Sequence, residues 1–115
     1  MHPLQRFSQI ALLVLALTPI PSIAAEAFVR ITSPQDGSRV DTFDPTKLVY
    51  EVSPGPKGDH IHVYVDGKEV GILRQLKGSY TLETLSLGQR TLCIKVVNKA
   101  HVPVGVERCV KVKAE

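Results

Sequence analysis

Three of the four histidines in this 115-residue chain have the type and spacing of metal ligands. His60 and His62 lie two positions apart in "GDHIHVYVDG", and side chains two apart on a strand point to one face, about 7 Å from each other. Two such imidazoles can converge on one ion at about 2.0 Å each, and imidazole suits copper, zinc and nickel. His101 follows in "NKAHVP". The alternative is that His60 and His62 are polar residues on a solvated strand face, and that His101 and Pro103 only make a turn.

Strands must bring these histidines together, and the residues around them have a strand pattern. Residues 60–66 alternate between polar and apolar side chains and lead into "DGK", a tight hairpin signal. Six further strand-like segments are separated by turn residues: 28–31, 47–53, 69–74, 79–87, 90–98 and 104–112. We expect Val70 and Ile72 to be the inner pair of segment 69–74. In 79–87 the apolar phase slips between Leu82 and Leu85, which predicts a β-bulge.

The segment pattern predicts the fold class. No part of the chain after residue 25 shows a sustained helical period. Short strands at this spacing predict an all-β, immunoglobulin-like sandwich of about seven antiparallel strands. The third and sixth strands of that fold are neighbours in one sheet, so we expect His60, His62 and His101 at one end of it, with Asp59 close by.

The two cysteines predict one disulfide and a strand register. Cys93 and Cys109 lie in the last two strand segments, and cysteines of an exported protein usually pair, with free thiols as the alternative. If the two lie directly opposite, Lys95 faces Glu107 in a favourable cross-strand charge pair. The same register centres the hairpin on His101 and makes three further pairs: Leu92 with Val110, Val97 with Gly105, and Arg108 with Ile94 on the core face. There the arginine must lie near an edge or rim, or the register must slip by a bulge.

The beginning of the chain has the pattern of a cleaved signal peptide. A short basic region precedes the apolar run "IALLVLAL", and prolines and small residues follow it. We predict a signal peptide over 1–25 and one domain over 26–115, with the protein secreted or periplasmic. The apolar run is shorter than the roughly 20 residues of a membrane span, although a retained N-terminal anchor is the alternative. No second apolar run follows, so we expect no membrane span in the mature protein.

Composition and motifs argue against several classes of function. The formal net charge is +3, Trp is absent, and the basic residues are scattered, so we expect no nucleic-acid partner. We also expect no enzyme, because Ser79 and Ser86 lack an activating motif such as Gly-x-Ser-x-Gly. The acidic residues are spread over loops and outer faces: Asp36, Asp41, Asp44, Glu51 and Asp59. A blue-copper site needs a cysteine ligand, usually with an axial methionine, and the only Met is Met1.

Several stretches resemble a known group of proteins. "ITSPQDGSRV", "HIHVYVDG", "GSYTL", "LGQRTL" and "NKAHVPVGVERCVKV" together resemble small exported bacterial immunoglobulin-like domains. Within that group the chain is similar to an uncharacterised family with a His-rich central strand that ends in Asp, and a later His-x-Pro turn. The matching residues are His60, His62 and Asp66, then His101 and Pro103. The resemblance implies the fold and the export, and it carries no activity.

Two functions from different classes follow as expectations. The first is an exported, non-catalytic immunoglobulin-like binding module for a protein or cell-envelope partner. It would use the outer sheet face or the segment "FDPTK" (43–47), which we expect at an exposed edge. The alternative is a periplasmic copper- or zinc-binding protein that uses His60, His62 and His101, with copper the first choice. A weaker third interpretation is a passive structural accessory of an envelope complex.

Overall fold

The computed structural model describes residues 26–115, so the predicted signal peptide lies outside the described residues. The chain forms eight strands and, within this range, no helix that is long and apolar enough to cross a membrane. The strands are β1 (Phe28–Ser33), β2 (Arg39–Val40), β3 (Lys47–Ser53), β4 (His60–Val65), β5 (Lys68–Leu73), β6 (Lys77–Thr81), β7 (Gly88–Val97) and β8 (Pro103–Ala114). The predicted all-β fold is confirmed.

Two sheets pack face to face. One sheet has three antiparallel strands in the order β1-β3-β6, and the other has five strands in the order β2-β8-β7-β4-β5. Alternating apolar residues of both sheets fill the space between them, as is usual in a sandwich. The core consists of Val29, Leu48, Tyr50, Val52, Ile61, Val63, Leu82, Leu85, Leu92, Ile94, Val96, Val110, Val112 and Ala114. The five-stranded sheet places β4 beside β7, as the prediction for the third and sixth strands requires.

The hairpin of β7 and β8 has the predicted register over most of its length. Cys93 lies opposite Cys109 and the two form a disulfide. Lys95 pairs with Glu107, and their charged atoms are 3.7 Å apart. Beyond Lys95 the register shifts, so that Val97 pairs with Pro103 and not with Gly105, which corrects the prediction. A positive φ of 90° at Gly105 accompanies this irregularity.

Arg108 lies opposite Ile94, as predicted, and the structure shows how a cation is tolerated there. The side chain is exposed and its Nε donates to the backbone carbonyl of Val29 at 3.4 Å. The guanidinium therefore leaves the core at the rim between the sheets, where its stem covers apolar surface.

Two predictions for the middle of the chain are wrong. A bulge in the β4–β5 pairing places Gly71 opposite Val63, so Val70 and Ile72 are exposed at 40% and 50%. The inward position at Gly71 is filled by the ring of Tyr80 from the other sheet, which would collide with any Cβ there. The segment 79–87 is not one bulged strand, because β6 ends at Thr81 and an irregular stretch follows.

The segment between β2 and β3 also differs from expectation. Phe43 is 88% exposed in this loop. Lys47 begins β3, which is the central strand of its sheet, so segment 43–47 does not offer a free sheet edge. The short strand β2 was not predicted, and it pairs in parallel with the end of β8.

Candidate metal centre

The three predicted histidines form one cluster. The Nε2 atoms of His60 and His62 are 3.2 Å apart, and the Nδ1 atom of His101 lies 3.2 Å and 3.0 Å from them. Among the described residues this is the group of His, Cys, Asp and Glu side chains whose ligand atoms converge closely enough for one ion. The structure therefore brings together all three residues that the sequence singled out.

Strand β4 positions the first two imidazoles. Ile61 points to the core, so His60 and His62 point to the opposite face. That face is less solvated than the alternation suggests, because the two histidines are only 1% and 3% exposed. The interpretation of the pair as residues on a solvated face is therefore wrong, and two buried imidazoles require polar partners.

A turn between β7 and β8 positions the third imidazole. The side-chain Oδ1 of Asn98 accepts hydrogen bonds from the backbone N–H groups of Ala100 (2.9 Å) and Val102 (3.1 Å). The backbone N–H of His101 donates to the Asn98 carbonyl at 2.9 Å. His101 itself has a φ of 64°, a left-handed conformation that is uncommon for residues other than glycine and that histidine adopts more readily than most. The turn thus holds an exposed His101 over the two buried histidines.

Two carboxylates contact the outer nitrogens of the buried histidines. Asp59 Oδ2 lies 2.9 Å from His60 Nδ1, and Glu69 Oε1 lies 3.3 Å from His62 Nδ1. Asp59 was expected near the cluster, whereas Glu69 was not identified from the sequence. The sequence could have identified Glu69 from the Asp66-Gly67 turn, because a two-residue turn pairs Glu69 with Tyr64. Glu69 is then a diagonal neighbour of His62 on the same face.

These carboxylates determine where the imidazole protons are. An ionised carboxylate only accepts hydrogen bonds, so the hydrogen bond with Asp59 puts the proton of His60 on Nδ1. The Glu69 charge, 3.3 Å from His62 Nδ1, favours the same tautomer of His62. In neutral imidazoles the two Nε2 atoms are then both acceptors, although they are 3.2 Å apart. Only His101 Nδ1 can bring a proton into the triangle, and one proton cannot satisfy three close approaches between nitrogens. A shared cation is the chemical species that three converging lone pairs fit.

The electrostatics disfavour an added proton as that cation. Burial lowers the pKa of His62, although the nearby Glu69 charge acts in the opposite direction. The hydrogen bond from His60 lowers the pKa of the Asp59 carboxyl, with smaller effects from Lys99 and Arg74. Near neutral pH the site therefore combines a neutral His62 with a negative Asp59 carboxylate beside His60.

The size of the nitrogen triangle suits a first-row transition metal. The three nitrogens are close enough together to bind one ion at an ordinary metal–nitrogen distance of about 2.1 Å. The three imidazoles would then form a cap on one side of the ion. Such a cap leaves further coordination positions open, in contrast to a closed four-ligand structural site.

The rest of the outer sheet face surrounds this cluster with polar groups. The Tyr64 ring lies beside His62, with centroids 6.4 Å apart, and the Lys95 ammonium lies over that ring at 4.7 Å. Burial raises the pKa of the Tyr64 hydroxyl. Asp36, by contrast, accepts a hydrogen bond from the backbone N–H of Lys111 in β8, and Asp41 accepts one from the backbone N–H of Phe43. These two acids therefore have a structural role.

Comparison with known proteins shows the fold. No family model and no curated protein matches the chain. Among solved structures, it is similar to the fibronectin(III)-like modules of Clostridium thermocellum CbhA, with 17% identity and a TM-score of 0.63, over 76% of this chain and 96% of theirs. It is also similar to an engineered protein (24%, TM-score 0.56) and to an FMN-binding beta-glucuronidase from Facaelibacterium prausnitzii (18%, TM-score 0.55), in each case over 80% of this chain. The chain spans only 21% and 12% of those two proteins.

These similarities confirm the immunoglobulin-like part of the resemblance, because fibronectin(III)-like modules share that sandwich architecture. They do not identify the His-rich family, which stays a prediction. A disulfide in such a small sandwich is typical of exported proteins. The chain therefore has an immunoglobulin-like β-sandwich fold.

Proposed function

We propose that this protein is an exported, non-catalytic module that binds one transition-metal ion, copper or zinc, through His60, His62 and His101. One observation carries the proposal: three imidazole nitrogens lie within 3.0 to 3.2 Å of one another. Neutral imidazole is a ligand for both metals, and copper(II) binds most tightly among the divalent first-row ions.

The fold supports this role by making the site rigid. His60 and His62 are on a strand with neighbours on both sides, in the interior of the five-stranded sheet. The disulfide joins β7 to β8 on the same face and limits the movement of the hairpin that carries His101. Two of the three ligands are on a strand, which preorganises a site better than a loop does, and a hydrogen-bonded turn holds the third.

A protein or cell-envelope partner stays a prediction beside the metal. Sandwich modules of this kind often bind other molecules through their faces and loops, and an ion with open positions could accept a donor atom from such a partner. Secretion or retention in the periplasm, through a signal peptide over 1–25, belongs to the same proposal.

Titration of the protein with copper(II) and zinc(II) tests the proposal. We expect one equivalent of either metal to bind, and a thermal stabilisation of about 2.7 kcal/mol when free metal is 100 times the dissociation constant. The exposed His101 is the informative position, because His101→Ala removes a ligand without opening a cavity in the core. Lys99→Ala in the same turn is the matched control.

Two outcomes of the titration are decisive, and a separate metal analysis identifies the ion. Binding that is lost in His101→Ala and in the His60→Ala, His62→Ala double variant supports the site. Equal affinity of the wild-type protein and the folded His101→Ala variant contradicts it. Metal analysis of the protein from its native compartment, purified without an affinity tag, would show which ion is bound in the cell.

A further inference from the structure

The two carboxylates behind the histidines suggest which ions the site selects. Asp59 and Glu69 do not reach the nitrogen triangle, and each instead contacts the outer nitrogen of one buried imidazole. Carboxylates in this position fix the tautomer of a ligating histidine and increase its basicity. They also add two negative charges close to any bound ion, and this charge favours a doubly charged ion over a singly charged one.

We propose that Asp59 and Glu69 are positioning residues that make the site selective for divalent ions, so that it binds copper(II) in preference to copper(I). The inference rests on the proposed metal function and adds a choice of oxidation state. The ligand set agrees with it, because copper(I) prefers thiolate or thioether ligands. In the described chain both cysteines are in the disulfide, and Met1 is the only methionine in the sequence.

The nitrogen triangle bears on the number of ligands that a bound ion can take. The nitrogen–nitrogen distances of 3.0 to 3.2 Å place the three imidazoles on one side of the ion. Three nitrogens around copper in a planar arrangement at about 2.0 Å would have to be about 3.5 Å apart. The observed triangle is smaller, so it leaves positions for additional ligands on the open side of a bound ion.

The surroundings of the carboxylates determine how large the effect will be. The Glu69 side chain is 44% exposed, and that of Asp59 is 29% exposed with the Arg74 guanidinium 3.6 Å away. Solvent and Arg74 therefore screen part of each charge. Groups in this position typically change metal affinity 10- to 100-fold. Because the carboxylate charge acts more strongly on a doubly charged ion, we expect each carboxylate to change the ratio of copper(II) to copper(I) affinity by about tenfold.

Neutral variants of the same shape separate charge from hydrogen bonding. In Asp59→Asn the side-chain carbonyl can still accept the hydrogen bond of His60, but the negative charge is lost. Glu69→Gln keeps the shape of the side chain and removes the charge that lies 3.3 Å from His62 Nδ1. Glu107→Gln is the matched control, because Glu107 lies on the same sheet face and pairs with Lys95 without contacting a histidine. Copper(II) and copper(I) affinities are measured by competition with chromophoric chelators, the latter without oxygen and with ascorbate as the reductant.

We expect the wild-type protein to bind copper(II) more tightly, and each neutral variant to lower the affinity ratio tenfold, which raises the copper reduction potential by 59 mV. Glu107→Gln should keep the wild-type ratio. The inference is overturned if the wild type prefers copper(I), or if neither neutral variant changes the ratio while His101→Ala still abolishes binding. If no variant of a histidine affects copper binding, the proposed function itself fails, and the two failures are thereby distinguished.

Discussion

Removal of the Asn98 carboxamide should weaken metal binding without touching a ligand. This side chain closes the turn that carries His101 by accepting the N–H groups of Ala100 and Val102. In Asn98→Ala both hydrogen bonds are lost, and the strained φ of 64° at His101 loses its local support. His60 and His62 stay fixed on β4, so only the third ligand becomes mobile.

The size of the effect follows from the two lost hydrogen bonds. Each contributes about 1 kcal/mol net, so the bound conformation of the turn loses up to about 2 kcal/mol relative to its alternatives. Metal binding must then restore the bound conformation of the turn, which reduces the binding free energy by this difference. About 1.4 kcal/mol corresponds to a tenfold change in affinity. We therefore expect zinc(II) to bind up to about 30-fold more weakly to Asn98→Ala.

Calorimetric titration with zinc(II) measures this change, and circular dichroism checks that the variant is folded. Asn98→Asp keeps an oxygen acceptor at the same position and should retain most of the affinity. Lys99→Ala changes the same turn without removing a hydrogen bond to its backbone. The reasoning is refuted if folded Asn98→Ala binds zinc(II) like the wild type, or if Asn98→Asp binds as weakly as Asn98→Ala.

Three further predictions concern the stability of the scaffold. The N–H of Thr91 and then the Arg90 guanidinium lower the pKa of Asp66 in the folded protein. Its contribution to the free energy of unfolding is therefore complete above the unfolded pKa of about 3.9 and is lost as pH falls through the lower folded value. Asp66→Asn should make the free energy of unfolding depend less on pH between about pH 5 and 2, and parallel profiles of the two proteins would contradict this. Replacing both disulfide cysteines by serine should lower the free energy of unfolding by about 3 kcal/mol, and an unchanged urea midpoint would count against it. Gly58→Ala should destabilise the fold by about 1 to 3 kcal/mol, because the new Cβ collides with Val96 and Pro54, and wild-type melting would show that the loop can move aside.

The sequence predicted the elements that position the metal centre because their patterns are local. Alternation fixed the inward residues of β4, and the two cysteines fixed the register of β7 against β8. Since strand neighbours in an immunoglobulin-like sheet follow from the fold, the approach of His101 to His60 could be anticipated as well. The convergence of the three histidines could therefore be predicted, although His101 is far from His60 and His62 in the sequence.

What the sequence did not predict depends on irregular backbone or on packing between elements. The bulge opposite Val63 and Tyr64 turns the side chains of Val70 and Ile72 from the core face to the outer face. No residue type in β5 predicts this bulge. Strand β2 has only two residues and forms because the end of β8 offers it a partner. The near-complete burial of His60 arises from the turn that covers it, which alternation along one strand cannot reveal.

The length of β8 sets the distance between the histidine cluster and the last residues of the chain. The strand runs from Pro103, two residues after His101, to Ala114, and its twelve residues span roughly 36 Å at about 3.3 Å per residue. A paramagnetic copper(II) ion at the histidines would broaden the amide signals of β8 in a gradient, strongest near Pro103 and absent near Ala114. The same separation means that a fluorophore or surface linker attached beside Ala114 would leave the coordination sphere undisturbed.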